Sequence, residues 1–258
     1  HKPLRMKHLI SLLSLVLLCA CHTTRTWQVA SVERTRLVVD NHYEASIPEE
    51  AKQYLAPYAR QVDSISSPIV GLTKHTLRRA QPESELSNLL ADIMVWAGKQ
   101  YGEQPDLGIY NMGGIRASLP AGDVTYGNVV DVAPFDNRIS FSTLTGADLM
   151  DLFRQIAARG GEGVSHGVAL EITANGELIS ARLNGKEIAP EALYRVATID
   201  YLAAGNDGLI AFKKKTNFRI PEGAGTEARY IITEYLRAER AAGRPVERPV
   251  EGRIRIVR

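Results

Sequence analysis

The chain has 258 residues, of which 45% are hydrophobic and 23% charged, with a net charge of +2 and a mean hydropathy of −0.14. That balance is long and apolar enough for a sizeable core and excludes a disordered polyelectrolyte. No excess of either charge points to a polyanionic partner, so no nucleic acid is expected.

In chain order, the first segment reads as a targeting signal rather than as fold. Met6, Lys7 and His8 precede a short apolar run from Leu9 to Leu18, and Leu18-Cys19-Ala20-Cys21 follows. A basic start, a short hydrophobic stretch and small residues before a cleavage point make a signal peptide. The run is shorter than the roughly 20 apolar residues a bilayer span needs. The Leu-x-Ala-Cys ending resembles a bacterial lipobox, which implies lipidation at Cys21 and an exported protein held on the periplasmic or surface face of a bacterial membrane by its lipid alone. A plain secretory signal cut nearby is the other reading. Residues 1–26 are therefore leader and tether, and 27–258 are taken as one domain. Both cysteines fall in the leader, so a disulfide is not expected in the domain.

Pro48 to Val62 carries Ala51, Tyr54, Leu55, Tyr58, Ala59 and Val62 at a helical period, with Pro57 expected to kink it. Ser84 is placed to cap a helix with Leu86, Leu89, Leu90, Ile93 and Met94 on one side, and Asn88 and Asp92, one turn apart on it, read as structural. "DLGIYN" reads as a short buried strand ending at Gly113-Gly114. "GDVTYGNVVDVAPF" reads as a turn, a Thr125-capped short helix and a loop. "RISFSTL" is a strand, and "TGADLMDLFRQIAAR" is a helix starting near Thr145. Val168–Thr173 and Glu177–Leu183 are strands, with Asn184-Gly185 as a hairpin turn before Lys186–Ile188. "YRVATID" is a strand, Thr226–Ala242 a helix, and "GRIRIV" a closing strand. Helices and strands alternate with hairpins mixed in, which predicts a single α+β domain with a mixed β-sheet packed by helices.

The stretch "IDYLAAGNDGL" sets an aromatic ring and a carboxylate six residues apart around a turn with two glycines. Gly and Asn explain the turn, because both tolerate positive φ. They do not explain Tyr201 and Asp207. Read singly, Tyr201 and Phe135 could be core aromatics, Asp207 a turn former and Arg116 half of a surface ion pair.

Read together, four segments resemble one family. "ESELSNLLADIM", "YNMGGIRASLPAGDVTYGNVVDVAPFDNRISFSTLTGADLMDLF", "NGKEI" and "YRVATIDYLAAGNDGL" are similar, in order, to the C-terminal domain of the 5′-nucleotidase/UDP-sugar hydrolase family, most strongly from residue 62 onward. The set Asn-x-Gly-Gly-Ile-Arg, Gly-Asp-Val-Thr, Pro-Phe-x-Asn and Tyr-Leu-Ala-x-Gly-x-Asp-Gly is specific where each member alone would not be. In that family an N-terminal domain holds two divalent metal ions and hydrolyses, and the C-terminal domain grips the nucleotide.

The resemblance implies that Phe135 and Tyr201 clamp the two faces of a nucleobase, that Asp207 accepts from ribose hydroxyls, that Asn137 touches base or sugar, and that Arg116 approaches phosphate. Stacking on aromatic side chains tolerates any base, a carboxylate suits a diol, and a guanidinium fork suits phosphate. The family's phosphate-holding arginines precede the Glu-x-x-Leu-x-Asn helix. Here Arg78 and Arg79 stand one position out of register, with Ala80 at the expected place, and Arg79 is assigned that role. The glycine-rich loop "RGGEGVSHG" is shortened, and Gly163 is assigned to line the pocket.

The catalytic half of the family is not matched. Asp40-x-His42 follows an apolar run as the first metal motif of such phosphatases would, but no Gly-Asn-His-Glu or Gly-His-x-His follows, and an exposed edge-strand turn is the reading preferred. No cofactor is expected in this chain. The divalent metal pair is expected on a separate metallophosphoesterase chain. The expected ligand is a nucleotide or nucleoside, and the expected role is substrate recognition in a split 5′-nucleotidase that is inactive alone. The alternative is a stand-alone nucleotide-binding lipoprotein.

Overall fold

The computed structural model describes residues 27–38 and 40–257. The leader, the tether and Cys21 lie outside the described residues. The chain divides after Lys52. Up to that point residues 27–38 are exposed and without regular structure, and Asp40 caps a 3-10 turn over Asn41–Ser46 by accepting from the His42 N–H at 3.1 Å. The expected edge strand is therefore not formed. Asp40 spends its carboxylate on that cap and on the His42 ring.

Helix α1 (Glu49–Ser66) runs through Pro57 as one element. Its helical period is present, but no residue of it is buried. Tyr54, Leu55, Tyr58, Val62 and Ile65 all remain exposed, so among the described residues nothing covers the apolar stripe that the period marks out.

The rest is built on three sheets rather than one. β1 (Ile69–Thr73) pairs antiparallel with β3 (Gly122–Thr125). The central sheet has five strands in the order β10-β4-β9-β2-β5, where β2 is Leu107–Tyr110, β4 Ile139–Thr145, β5 Gly163–Val164, β9 Leu193–Ile199 and β10 Thr216–Arg219. β2 and β9 are parallel, and the remaining pairs are antiparallel. A four-stranded sheet runs β11-β6-β7-β8, with β6 at Val168–Thr173, β7 at Leu178–Leu183, β8 at Lys186–Glu187 and β11 at Ile254–Val257. Asn184 (φ 51°) and Gly185 (φ 76°) form the expected tight turn between β7 and β8.

Capping chemistry sets the helices where the sequence predicts them. Ser84 starts α2 (Glu85–Gly98) by accepting from the Ser87 N–H, and Ser87 answers with its own side chain. Thr125 does the same for α3 (Tyr126–Val132) with Asn128, and Thr145 starts α4 (Gly146–Ala158). α2 buries Leu86, Leu89, Leu90, Ile93 and Met94 against β2, and comes so close that a Cβ on Gly108 would stand 2.3 Å from the Ala91 carbonyl. α4 buries Leu149, Leu152, Phe153 and Ile156 between the central sheet and the β6–β7 pair. α5 (Asp200–Ala203) is a single turn after β9, and α6 (Ala228–Ala241) packs on β1, α2 and α3.

Asn88 and Asp92 of α2 tie down the end of the chain. Asn88 donates to Glu83 at 2.7 Å and to the Pro249 carbonyl at 3.0 Å. Asp92 takes a two-pronged grip from Arg253, at 2.8 and 3.0 Å, and a further bond from Arg248 at 3.0 Å. Arg253 is only 2% exposed and also donates to Glu251 at 2.9 Å, so two carboxylates meet its buried charge. Asp92→Ala is expected to lower unfolding free energy by about 3–5 kcal/mol, because it removes the two-pronged partner of a buried guanidinium. Urea unfolding of the full chain checks it, and a loss below about 1 kcal/mol would show that Glu251 and carbonyl oxygens satisfy Arg253 unaided.

Candidate nucleotide site

The strand directions bring the site together. β2 and β9 run parallel and β4 runs against them, so the C-terminal ends of β2 and β9 and the N-terminal end of β4 share one end of the central sheet. β2 leads into Asn111 and a 3-10 turn over Met112–Gly114. β9 leads into Tyr201, and β4 is entered from Phe135, Asp136 and Asn137. A cleft of about 380 Å³ opens there, lined by Asn111, Gly113, Gly114, Arg116, Phe135, Asn137, Tyr201 and Asp207.

Phe135 and Tyr201 are 47% and 38% exposed. That rules out the core reading for both. Phe141, Phe153 and Phe212, by contrast, are fully buried.

The loop carrying Phe135 is held from behind by the start of α6. Arg229 donates to the Pro134 carbonyl at 3.1 Å and pairs with Asp136, so it grips the residues on both sides of the ring. The Ala228 N–H donates to the Asn137 carbonyl at 2.8 Å. Arg138 bonds Thr226 at 3.0 Å and also the Pro221 carbonyl.

Asp207 sits in a left-handed turn (φ 55°) followed by Gly208 (φ 73°), which aims its carboxylate back at the cleft. Its Oδ2 accepts from Asn111 Nδ2 at 2.7 Å, and its Oδ1 accepts from the Tyr201 hydroxyl at 3.0 Å. The bond to Asp207 raises the Tyr201 hydroxyl pKa, since ionising it would place a second negative charge beside the first. Gly114 is required by contact rather than by φ. A Cβ there would lie 2.5 Å from Asn111 Oδ1.

Sequence reading missed three residues of this site: Asn111, Arg159 and Glu162. Glu162 is 1% exposed and accepts the Met112 N–H and, at 2.6 Å, Arg159 Nε. Arg159 reaches on to Asp207, 3.8 Å away. Arg79 donates to the Met112 carbonyl at 2.9 Å, so the loop over Met112–Gly114 is held from both sides. Arg79, Gly113 and Arg159 border a second hollow of about 350 Å³ next to the main cleft, and Arg79 and Arg116 border a third. Arg79 thus comes close to the cleft without lining it.

Gly163 does not line the cleft. It is buried in β5 opposite Tyr110, where a Cβ would lie 2.8 Å from the Ser87 carbonyl and 2.9 Å from that of Tyr110. The glycine-rich loop contributes Arg159 and Glu162 instead, and Arg159 is the residue of the pair a reader could have noticed beside the glycines. Among the described residues no three His, Cys, Asp or Glu side chains converge as a metal site. The side chains that line the cleft are two rings, two amides, a carboxylate and a guanidinium.

The family model described as the 5′-nucleotidase C-terminal domain matches residues 67–214, and the chain belongs to that family. It is 30% identical over 240 residues to the trifunctional nucleotide phosphoesterase protein YfkN of Bacillus subtilis, covering 86% of this chain and 16% of that protein. Its fold resembles the 5′-nucleotidase precursor of Thermus thermophilus (TM-score 0.69, 26% identity), covering 83% of this chain and 45% of that one. The NAD nucleotidase of Haemophilus influenzae shares the fold at 19% identity, with a TM-score of 0.58 and coverage of 81% and 41%. The chain thus spans less than half the length of each of these proteins.

Burial raises the pKa of Glu162 above the ordinary 4.5, and the bond from Arg159 only partly opposes it. The native state therefore holds that proton more tightly than the unfolded chain. The stability this group contributes is fully present below about 4.5 and is lost as pH rises through the raised value. Relative to Glu162→Gln, the unsubstituted chain is expected to gain stability as pH falls through this window. Paired denaturation series from pH 7 to 4 check it, and a difference that shrinks toward acid would reverse the sign.

Proposed function

We propose that this domain is the nucleotide-gripping half of a split 5′-nucleotidase, and that the scissile phosphate is handed to a metal-bearing phosphoesterase on a separate chain. The observation that carries the reading is the meeting of Phe135, Asn137, Tyr201, Asp207 and Arg116 in one cleft, although they lie far apart in the chain. The exposed rings of Phe135 and Tyr201 stack on the two faces of a nucleobase. Asp207 accepts from the sugar, and Asn137 reaches base or sugar. Arg116, in the cleft, and Arg79, in the adjoining hollow, meet phosphate. In this reading the lipobox-like Leu18-Cys19-Ala20-Cys21 holds the chain on a membrane surface through a lipid at Cys21. Two chains held on one membrane surface meet at raised effective concentration.

Division of labour follows from where binding energy is useful. Gripping base and sugar, which do not react, positions the phosphate for chemistry elsewhere. The purified chain is expected to bind AMP and adenosine, with Phe135→Ala or Tyr201→Ala each weakening binding by about 1–3 kcal/mol. It is expected to release no phosphate from AMP with Mn²⁺, Zn²⁺ or Mg²⁺ present. Titration calorimetry and a phosphate-release assay check both, and binding untouched by either ring substitution would sink the clamp.

The partnership has its own measurement. Added to a two-metal phosphoesterase chain of the same organism that lacks this domain, this chain is expected to raise kcat/KM for AMP far more than for p-nitrophenyl phosphate. Equal effects on both substrates, or none at saturation, leave a binding lipoprotein instead.

A further inference from the structure

Glu162 is a buried acid whose cationic partner also faces outward. It is 1% exposed, and its two oxygens divide between the Met112 N–H and, at 2.6 Å, Arg159 Nε. The loop that carries both residues is pinned by Gln81, which donates to the Arg159 carbonyl at 2.8 Å and to the Gly161 carbonyl at 3.0 Å. Arg159 keeps 37% of its side chain exposed and borders the hollow that Arg79 and Gly113 also line. Arg79 and Arg116 donate to the carbonyl oxygens of Met112 and Gly113, so three guanidinium groups surround one short turn. The charged groups that act on Glu162 are Arg159 from the end of α4 and Asp207 from the turn after α5. Tyr110 of β2, opposite Gly163, is buried with its hydroxyl pKa raised, so it stays neutral, and His166 faces Glu251 at 2.9 Å instead.

We propose that Glu162 gates Arg159: when Glu162 takes a proton from solvent, Arg159 is released to an anion in the hollow beside the cleft, and the domain grips the anionic end of a nucleotide more tightly. The proposal rests on the nucleotide reading of the cleft and adds its regulation. Ionised Glu162 neutralises Arg159 at contact distance. A protonated carboxyl has one oxygen that donates, so it can serve the Met112 N–H and give up the guanidinium. Arg159 then keeps only Asp207, 3.8 Å away, and adds its charge to those of Arg79 and Arg116. Anion binding and proton uptake therefore favour each other, and affinity for the anion rises as pH falls through the Glu162 transition. Burial places that transition above the ordinary 4.5, toward mild acid. A nucleoside without an anion has nothing to offer Arg159 and gains nothing.

The experiment is calorimetric titration from pH 8 to 5 with adenosine 5′-sulfate, whose anion carries one charge throughout, and with adenosine. The unsubstituted chain, Glu162→Gln and Arg159→Gln are compared. The readout is the ratio of the two affinities, in which base and sugar contacts cancel. In the unsubstituted chain the ratio is expected to rise about tenfold toward acid in favour of the sulfate ester. Its binding is also expected to take up a fraction of a proton, seen as a heat that depends on the ionisation enthalpy of the buffer. Glu162→Gln is uncharged at every pH and is expected to hold the ratio at its high, acid value. Arg159→Gln is expected to hold it at the low one.

A ratio that stays flat or falls toward acid in the unsubstituted chain overturns the proposal, and so does a rise that persists in Glu162→Gln. If either variant fails to fold, the buffer comparison on the unsubstituted chain decides, and sulfate-ester binding without proton uptake overturns the proposal. If neither ligand binds the unsubstituted chain at any pH, the nucleotide reading falls and takes this proposal with it, a result distinct from binding with a flat ratio.

Discussion

The carboxylate of Asp207 is the point on which the site depends. It lies in a turn after β9, yet it is fixed by Asn111 from the end of β2 and approached by Arg159 from the loop after α4. Three separate stretches of chain thus agree on the position of one acidic group. Glu162 extends the arrangement inward by accepting from Arg159 and from the Met112 N–H. A nearly buried glutamate facing a backbone N–H and a guanidinium is expensive to place unless every donor is met. Here both of its oxygens have partners, so the loop over Met112–Gly114 and the arginine that approaches Asp207 are set together.

The other wall of the cleft is mounted differently. Phe135 follows a short helix and precedes β4, so the sheet fixes only its C-terminal side. The start of α6 supplies the rest through Arg229 and the Ala228 N–H, and Arg138, at the entry to β4, reaches Thr226 just before that helix. The pairing of Arg229 with Asp136 involves an exposed carboxylate and contributes little by itself. The bond to the Pro134 carbonyl and the backbone bond at Asn137 define the loop, and the ion pair adds direction. One ring therefore stands on a polar network around a buried acid, and the other on a helix start.

Much of this was legible in the sequence because it depends on local chemistry. Ser84, Thr125 and Thr145 cap where they are expected to cap, and Asn184-Gly185 turns where that dipeptide turns. The motif set brought Phe135, Asn137, Tyr201, Asp207 and Arg116 to one place. What was not legible depends on neighbours distant in the chain. β5 is two residues long and exists only because β2 lies beside it. Gly163 looked like a loop glycine and is a sheet glycine, for the same reason. Arg159 stands beside marked glycines, but nothing local gives it or Glu162 a role, since their roles come from Met112 and Asp207. The α1 stripe shows the opposite failure: period 3.6 reports an apolar face but not what covers it.

The placement of aromatic side chains divides them into rings of the core and rings of the cleft wall. Phe141, Phe153 and Phe212 are fully buried and sit with the aliphatic faces of α2 and α4 in the core. Burial of that kind contributes on the order of 25 cal/mol per Å² of apolar surface, and it fixes the sheet whose end becomes the cleft. Phe135 and Tyr201 forgo much of that gain by standing partly in water. A ring in that state is useful only if it does not have to be ordered again when a flat ligand arrives, since ordering side chains on binding subtracts from affinity. The hydroxyl bond to Asp207 and the α6 contacts behind Phe135 supply that order in advance.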